Sequence, residues 1–499
     1  MTLVPHSLQK TTADKLIKRY FLEKGLPLDR AVAFSDVYIV DRTSRIGRRS
    51  DIRDLGTEVA RGVPLHIPLI PANMMDVTES RMAIAIARAG GIGFIHQFLP
   101  IADRVNEVEK VKRADNEVIE NPWSVGEEML LVDALQFARE KGISGVLVVD
   151  KKGKLAGILT SRDVRFAARR FGEKLASAKV KDLMTKMPLV VGREHIRTEE
   201  AMRLLEEHKI EKLPLVDRAM RPVGLITAKD ILKRTEHPLA LRDKRGQLIV
   251  GATVGISGTF LDDAAALVRA KTDVILVDTA RGNSIRARDA VRVIHRKFPQ
   301  TPIVAGNVDN AEGALLLMDA GATGIKVGIG PGSACKTRVT TGIGAPQLSA
   351  VAECVAVARA RGIPVIADGG IKNGADFAKA LAAGADCVMS GSVFAGTEET
   401  PGEVYYDSGE RYKLYRGSAG LDSQIARLDE GGLDGVRAPE GVTRKIIFKG
   451  ESVFEMIDGL LQNLRSSMSY ANARTIQEFH RATFRLQTNG GHEEGKPRN

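Results

Sequence analysis

The chain has 499 residues, 43% of them hydrophobic and 5% aromatic, enough for one large domain plus a smaller one. Its formal net charge of +11 brings nucleic acid and membrane surfaces into question. The basic residues are dispersed, however, in isolated pairs such as Arg48-Arg49 and Arg169-Arg170. That pattern points to a positive surface for phosphorylated small molecules, with no nucleic acid as main partner. The three cysteines, Cys335, Cys354 and Cys387, form no CxxC pair, which excludes a disulfide framework and a zinc site and fits a reducing cytosol. No signal peptide and no apolar run of bilayer length is visible, so a cytoplasmic setting without a membrane partner is expected.

In chain order, the stretch before Phe34 carries no assignable element and reads as a mobile end. Two short apolar runs follow, PLIPAN (68–73) and GIGFIH (91–96). A repeat then interrupts them: the stretch Lys141 to Arg165 reappears 67 residues later, from His208 to Leu232. Each copy reads as a helix, an apolar strand ending in Asp150 or Asp217, a turn, and a strand through Gly157 or Gly224. A Thr-x-x-Asp (Thr160 and Asp163, Thr227 and Asp230) then opens a second helix. The hydroxyl can cap that helix while the carboxylate holds a ribose diol; a cap alone is the competing reading. Two copies of one unit bury their apolar faces against each other. The pattern resembles paired cystathionine-β-synthase-type (CBS) modules, and the resemblance implies ATP or GTP as the ligand.

After the repeat the apolar runs resume as LIVGATVG (248–255), VILVDTA (274–280), PIVAGNV (302–308), GIKVGIG (324–330), PVIADGG (364–370) and CVMSGS (387–392). Ala/Leu-rich helical patterns such as AEGALLLMDAGA separate them. Near-continuous apolar strands alternating with helices mean a parallel sheet. Eight such units predict an α/β fold, a (β/α)8 barrel with the tandem repeat inserted after its second strand. The expected boundaries are 1–110 for the first part of the barrel, 111–236 for the insert, and 237–499 for the rest with a flap and a C-terminal tail. The last dozen residues read as a second mobile end.

Polar residues gather at the carboxyl ends of the strands, where barrels of this kind keep their active sites. The segment GIGPGSACKTRVTTGIGAPQ (328–347) is the richest. Its Gly and Pro residues let backbone approach a ligand, and Ser333 with nearby amides can hold a phosphate. Cys335 stands in this polar loop beside Lys336 and Arg338, charges that favour the thiolate nucleophile. Cys354 and Cys387 instead fit buried helix and strand positions. The SGS turn (390–392) is a second phosphate candidate. Asp368, in ADGG, is placed either to accept from a ribose or to stabilise its own turn.

The Cys loop, ADGG, the GS turn, YRG (415–417), Glu440-Gly441 and the inserted CBS-type pair together resemble the inosine-monophosphate (IMP) dehydrogenase and GMP reductase family over nearly the whole chain. The resemblance implies that Cys335 attacks purine C2 as a covalent nucleophile, with Thr337 and Glu440 handling protons. It implies that Asn73, Met74, Ser333, Asp368, Gly370, Gly391, Ser392, Tyr415 and Gly417 hold the purine nucleoside monophosphate. NADP or NAD would lie at Asp278, Asn307 and Gly328, and a potassium ion on the carbonyls of Gly328, Gly330 and Cys335. Family members assemble as homotetramers that pair into octamers, and nucleotides at the CBS-type pair would alter that assembly or the flap. A thiolate with an acid/base pair suits an electrophilic purine C2, and the nicotinamide's hydride chemistry needs only positioning.

Dehydrogenases of this family carry an Arg-Tyr pair in the flap that activates water; reductases do not need it. Between Gly417 and Glu440 the chain reads SAGLDSQIARLDEGGLDGVRAP, where Arg427 is followed by Leu428. The stretch GGLDGVRAPEG with Phe448-Lys449-Gly450, Asn73-Met74, and LSAV after the Cys loop resemble reductases. Arg411-Tyr412 precedes YRG and belongs to the shared framework. The CBS-type pair and the tail FRLQTNGGHEEGK resemble dehydrogenases, Gln97 stands where classical reductases place Lys, and Lys336 replaces the usual Thr. GMP reductase (GMP and NADPH to IMP, ammonia and NADP) is the expected activity. IMP dehydrogenase, with Arg427 as catalytic base, is the alternative, and an inactive nucleotide sensor a further one.

Overall fold

The computed structural model describes residues 6–115, 119–120, 122–141, 143–165, 172–228, 236–421, 425, 439–448 and 450–495. They form two compact units, Met1–Ala114 with Leu239–Asn499, and Asp115–Pro238.

In the larger unit each of the eight apolar runs contains a strand: β1 (Leu69–Pro71), β2 (Phe94–Ile95), β3 (Gly251–Val254), β4 (Val274–Asp278), β5 (Ile303–Val308), β6 (Gly324–Val327), β7 (Val365–Asp368) and β8 (Cys387–Ser390). All pair in parallel, in the order β1-β8-β7-β6-β5-β4-β3-β2. The amides of His66 and Ile67 reach the Gly90 carbonyl at 2.8 and 3.2 Å and draw the two ends of the sheet together. The runs are apolar on both faces because both are covered: Val274, Ile275 and Leu276 are fully buried. Inside, Ile70, Phe94, Leu276, Val304, Ile366 and Met389 share one cluster with Val59, Val63 and Leu65 of a hairpin that closes the amino-terminal end. The helices that cover the outside are α1 (Ser80–Ala89), α2 (Ile101–Arg113), α3 (Phe260–Arg269), α4 (Ile285–Lys297), α5 (Ala311–Asp319), α6 (Gln347–Ala358), α7 (Gly374–Ala382) and α8 (Val453–Tyr470). Ser284, Asn310 and Asn373 cap α4, α5 and α7 by accepting amides of the first turn.

The structure corrects one expectation here. The segment before Phe34 is tied down. A helix, His6–Lys24, packs on α6; Tyr20 donates to the Ala383 carbonyl at 2.8 Å. The buried Lys24 ammonium donates to the carbonyls of Ala382 (2.6 Å) and Ala482 (3.2 Å). Val37–Ile39 pairs antiparallel with Phe484–Leu486. The helix α2 runs on to Arg113, and the first stretch of the larger unit ends at Ala114. Its buried Lys112 bonds Asp273 (2.6 Å) and Asp243 (3.1 Å) on the returning chain.

The smaller unit holds the repeat as two four-stranded sheets. The hairpin Gly145–Val149/Leu155–Thr160 pairs Val148 with Gly157, and Lys212–Val216/Pro222–Thr227 pairs Leu215 with Gly224, the equivalent register. Leu147, Leu155 and Ile158 of the first copy share a cluster with Val216 and Leu225 of the second, so the copies cover each other's apolar faces. Asp163 accepts from the Thr160 amide (2.8 Å) and hydroxyl (2.7 Å): the first Thr-x-x-Asp is a closed capping box. Asp230 lies outside the described residues.

At the closed end of the barrel, burial pushes the Asp386 carboxyl up to about 7, with Glu58 adding to the rise and the Val365 amide and Arg359 opposing it. A carboxyl raised in the folded chain contributes stability that is fully present below the ordinary carboxyl value and is lost as pH rises from there through about 7. Asp386→Asn cannot titrate. The melting-temperature advantage of the natural chain over this variant should therefore shrink from about pH 5 to about pH 8, by at least ~2 °C. An advantage that stays constant would show that the carboxyl is not protonated in the fold.

Candidate active site

The loop after β6 is shaped by its backbone. Gly328 has φ +153, and a β-carbon there would collide with the Asp368 carbonyl, so only glycine lets β6 and β7 converge at their ends. Arg338, expected as a charge beside the thiol, turns its guanidinium to the carbonyls of Ile329 (2.9 Å) and Ala345 and holds the loop closed. A short helix, Thr337–Thr341, follows Cys335 directly.

Against this loop runs the segment around Glu440. The Lys336 amide donates to the Glu440 carbonyl (2.7 Å) and the Val442 amide to the Ala334 carbonyl (3.0 Å), a bridge that pairs Cys335 with Gly441. It brings three side chains into line. The Cys335 thiol donates to Thr337 Oγ1 at 3.2 Å, and the Thr337 hydroxyl donates to Glu440 Oε2 at 2.8 Å. Both bonds run from thiol toward carboxylate, a path for a proton leaving a nucleophile or returning to a leaving group. Only the main chain of Lys336 takes part; its side chain is exposed, which explains why the bridge accepts a lysine there. Cys354 and Cys387 are fully buried, and burial pushes both thiols well up.

A second cluster lies at the ends of β4 to β7. Asp368 Oδ2 accepts from Asn307 Nδ2 (2.9 Å) and from Lys326 Nζ (2.7 Å). Lys326 Nζ also lies 2.9 Å from Asp278 Oδ1, while Asp278 Oδ2 accepts from Asn73 (3.1 Å) and Gln97 (3.3 Å). Burial alone would lower the Lys326 ammonium, but the Asp278 and Asp368 carboxylates outweigh it and hold it above its usual range. Asn307 Nδ2 also donates to the Gly328 carbonyl at 2.7 Å.

A third group surrounds the turn after β8. The Tyr415 phenol closes over Gly391, where a β-carbon would collide with it, lies 3.4 Å from Met74 Sδ and has Ser333 close enough to oppose the rise in its pKa. Burial holds this phenol above its usual range. The buried Asp76 accepts the Arg416 amide (2.8 Å) and pairs with its guanidinium, fixing YRG to the β1 end. Gly417 donates to the Val442 carbonyl at 3.1 Å.

The structure thus brings Cys335, Thr337 and Glu440 together, and separately gathers Asn73, Asp278, Asn307, Gly328 and Asp368. Ser333, Met74, Gly391 and Tyr415 form the third group; Ser392 follows Gly391, and Gly370 follows β7 with its face on Pro331. Gly330 lies in the Cys loop with its face on Arg338. Arg427 lies outside the described residues. Sequence reading missed Lys326, Asp76 and Arg416. A lysine inside the apolar run GIKVGIG was the available signal for the first. Among the described residues, no helix is long and apolar enough to cross a membrane, and no group of three or more His, Cys, Asp or Glu could hold a metal.

Fold and site define a (β/α)8 enzyme with a thiol–hydroxyl–carboxylate relay at the mouth of its barrel. Residues 31–498 match the IMP dehydrogenase / GMP reductase domain. The chain is 43% identical to an inosine-5'-monophosphate dehydrogenase of Nitrosopumilus maritimus, covering 93% of this chain and 98% of the relative. It is 44% identical to the Aquifex aeolicus enzyme of the same name, covering 94% and 95%. Among solved structures it resembles a Trypanosoma brucei GMP reductase in complex with guanosine 5'-monophosphate, with TM-score 0.87, 36% identity and 94% and 98% coverage. The chain belongs to the IMP dehydrogenase/GMP reductase family and is an NAD(P)-dependent oxidoreductase of purine nucleotides.

Exposure and burial set the order of thiol reactivity. In the native chain iodoacetamide should label Cys335, with Cys354 and Cys387 reacting only after denaturation; peptide mass spectrometry reads this directly. Early labelling of either buried cysteine would show that the barrel is looser than described.

Proposed function

We propose that the chain is a GMP reductase, converting GMP and NADPH to IMP, ammonia and NADP. The observation that carries this reading is the segment between Gly417 and Glu440, in which no Arg-Tyr pair stands and Arg427 is followed by Leu428. Without a base to activate water, a purine held on Cys335 has hydride transfer as its exit. Likeness to a GMP reductase structure supports the reading. The curated relatives at 43–44% identity are IMP dehydrogenases and support the second reading, oxidation of IMP with NAD. The Cys335–Thr337–Glu440 contact speaks against a catalytically inert nucleotide sensor.

In the proposed reaction the Cys335 sulfur bonds purine C2, with the thiol proton passing to the Thr337–Glu440 relay. The relay returns a proton to the 2-amino group, which departs as ammonia. When bound, a nicotinamide group would provide the hydride that C2 takes up. The C2–S bond then breaks, Cys335 recovers its proton and IMP is released; one proton is consumed overall with the hydride, and a second where ammonia is protonated to ammonium. Asp368 Oδ1, free of the donors that hold Oδ2, accepts from the nucleotide ribose. The residues present also fit a nicotinamide ribose: Asp278 is 16% exposed and, with three donors on its carboxylate, keeps one acceptor position. Ser333, Gly391 and Ser392 hold the phosphate. The carbonyls of Gly328, Gly330 and Cys335, two of them on residues with positive φ, suit a potassium ion that would steady the Cys loop. The inserted repeats, read as CBS-type modules, take ATP or GTP and tune a homotetramer that pairs into octamers.

Nicotinamide absorbance with two substrate pairs tests the reading, with potassium present. GMP should oxidise NADPH, and IMP should not reduce NAD. Cys335→Ala should abolish turnover, and Glu440→Gln should lower it ~100-fold or more. Turnover of IMP with NAD alone would establish the dehydrogenase instead.

A further inference from the structure

Among the described residues at the strand ends, the relay and the ligand contacts leave the buried ammonium of Lys326 without a role. Lys326 sits in the interior of β6 between fully buried Ile325 and Val327, itself 3% exposed. Its ammonium lies 2.7 Å from Asp368 Oδ2 and 2.9 Å from Asp278 Oδ1. Among the described residues, no other Lys or Arg pairs with either carboxylate. The two carboxylates end different strands, β7 and β4, so a single side chain spans the mouth from the nucleotide side to the dinucleotide side.

We propose that Lys326 is a shared positioning residue: it fixes Asp368 and Asp278 in one arrangement and thereby sets the affinity for nucleoside monophosphate and nicotinamide dinucleotide together. The proposal rests on the reading that these two ligands meet at this mouth, in either direction of the reaction. Lys326 itself is too buried to touch them. Its charge orients both neighbouring carboxylates, with Asn307 bracing Asp368 and Asn73 and Gln97 bracing Asp278. Removal of the ammonium would leave the two carboxylates without the cation they share, and their repulsion would turn them from the positions in which they accept ribose hydroxyls.

The full-length chain carries the test, as Lys326→Met and Lys326→Arg, assayed with whichever substrate pair the natural chain turns over. Lys326→Met should raise both KM values about tenfold or more, the size expected for a lost hydrogen bond to a charged group, with a smaller change in kcat. Lys326→Arg should bring both KM values back together, to within about threefold. A change in only one KM overturns the proposal, and a fall in kcat with both KM values unchanged overturns it as well, marking a packing loss. If the Met variant does not melt cooperatively, the Arg variant decides: both KM values shifting by a common factor supports a shared role, and one shifting alone overturns it. A natural chain inactive with both pairs overturns the functional reading and this proposal with it. An active chain whose KM values ignore position 326 overturns this proposal alone.

Discussion

Two backbone hydrogen bonds, Lys336 to Glu440 and Val442 to Ala334, hold together parts of the site that the chain supplies far apart. Thr337 and Glu440 are 103 residues apart in sequence, yet their oxygens meet at 2.8 Å. Each such bond contributes only ~1 kcal/mol net to stability, but proton transfer depends on distances of this order. Because the bridge is made by main chain, it tolerates Lys336, whose side chain stays in solvent. The side-chain contacts here are the hydrogen-bonded line Cys335–Thr337–Glu440 and those of Arg338, which braces the loop from behind.

The barrel imposes the second constraint. Parallel strands end on one rim, so polar residues at their ends converge whether or not they attract one another. Here the convergence places Asp278 and Asp368 side by side, and Lys326 rises from between them. A buried ammonium with two carboxylates is a poor device for stability, since desolvation opposes the Coulomb gain. At the rim the two carboxylates take further donors from the side-chain amides of Asn307, Asn73 and Gln97, so their remaining lone pairs are held in fixed directions.

The barrel was legible because strands covered on both faces must be apolar throughout, and each of the eight runs contains one strand. Cys335 was legible for the opposite reason: a thiol among Gly, Ser, Lys and Arg has no apolar neighbours to be buried with. Lys326 was hidden by its own strand, since one lysine in GIKVGIG looks like an interruption until its partners, 48 and 42 residues away, are placed beside it. Asp76 and Arg416 were hidden by separation as well, 340 residues for one buried pair. The segment before Phe34 was misread because its anchors are backbone carbonyls. Lys24 binds the carbonyls of Ala382 and Ala482, and carbonyls leave no trace in residue identity.

The inserted repeat shows why a barrel can carry so large an addition. Lys112, near the last turn of α2, holds Asp243 and Asp273, so the chain leaves and re-enters the larger unit at one point. The two ends of the insertion are therefore fixed by the barrel itself. The entropy of closing a longer connection grows only with the logarithm of its length, and an insertion with its own core adds no exposed apolar surface to its host. Among the described residues, the two large core clusters of the barrel contain none from Asp115–Pro238, and the repeat has clusters of its own.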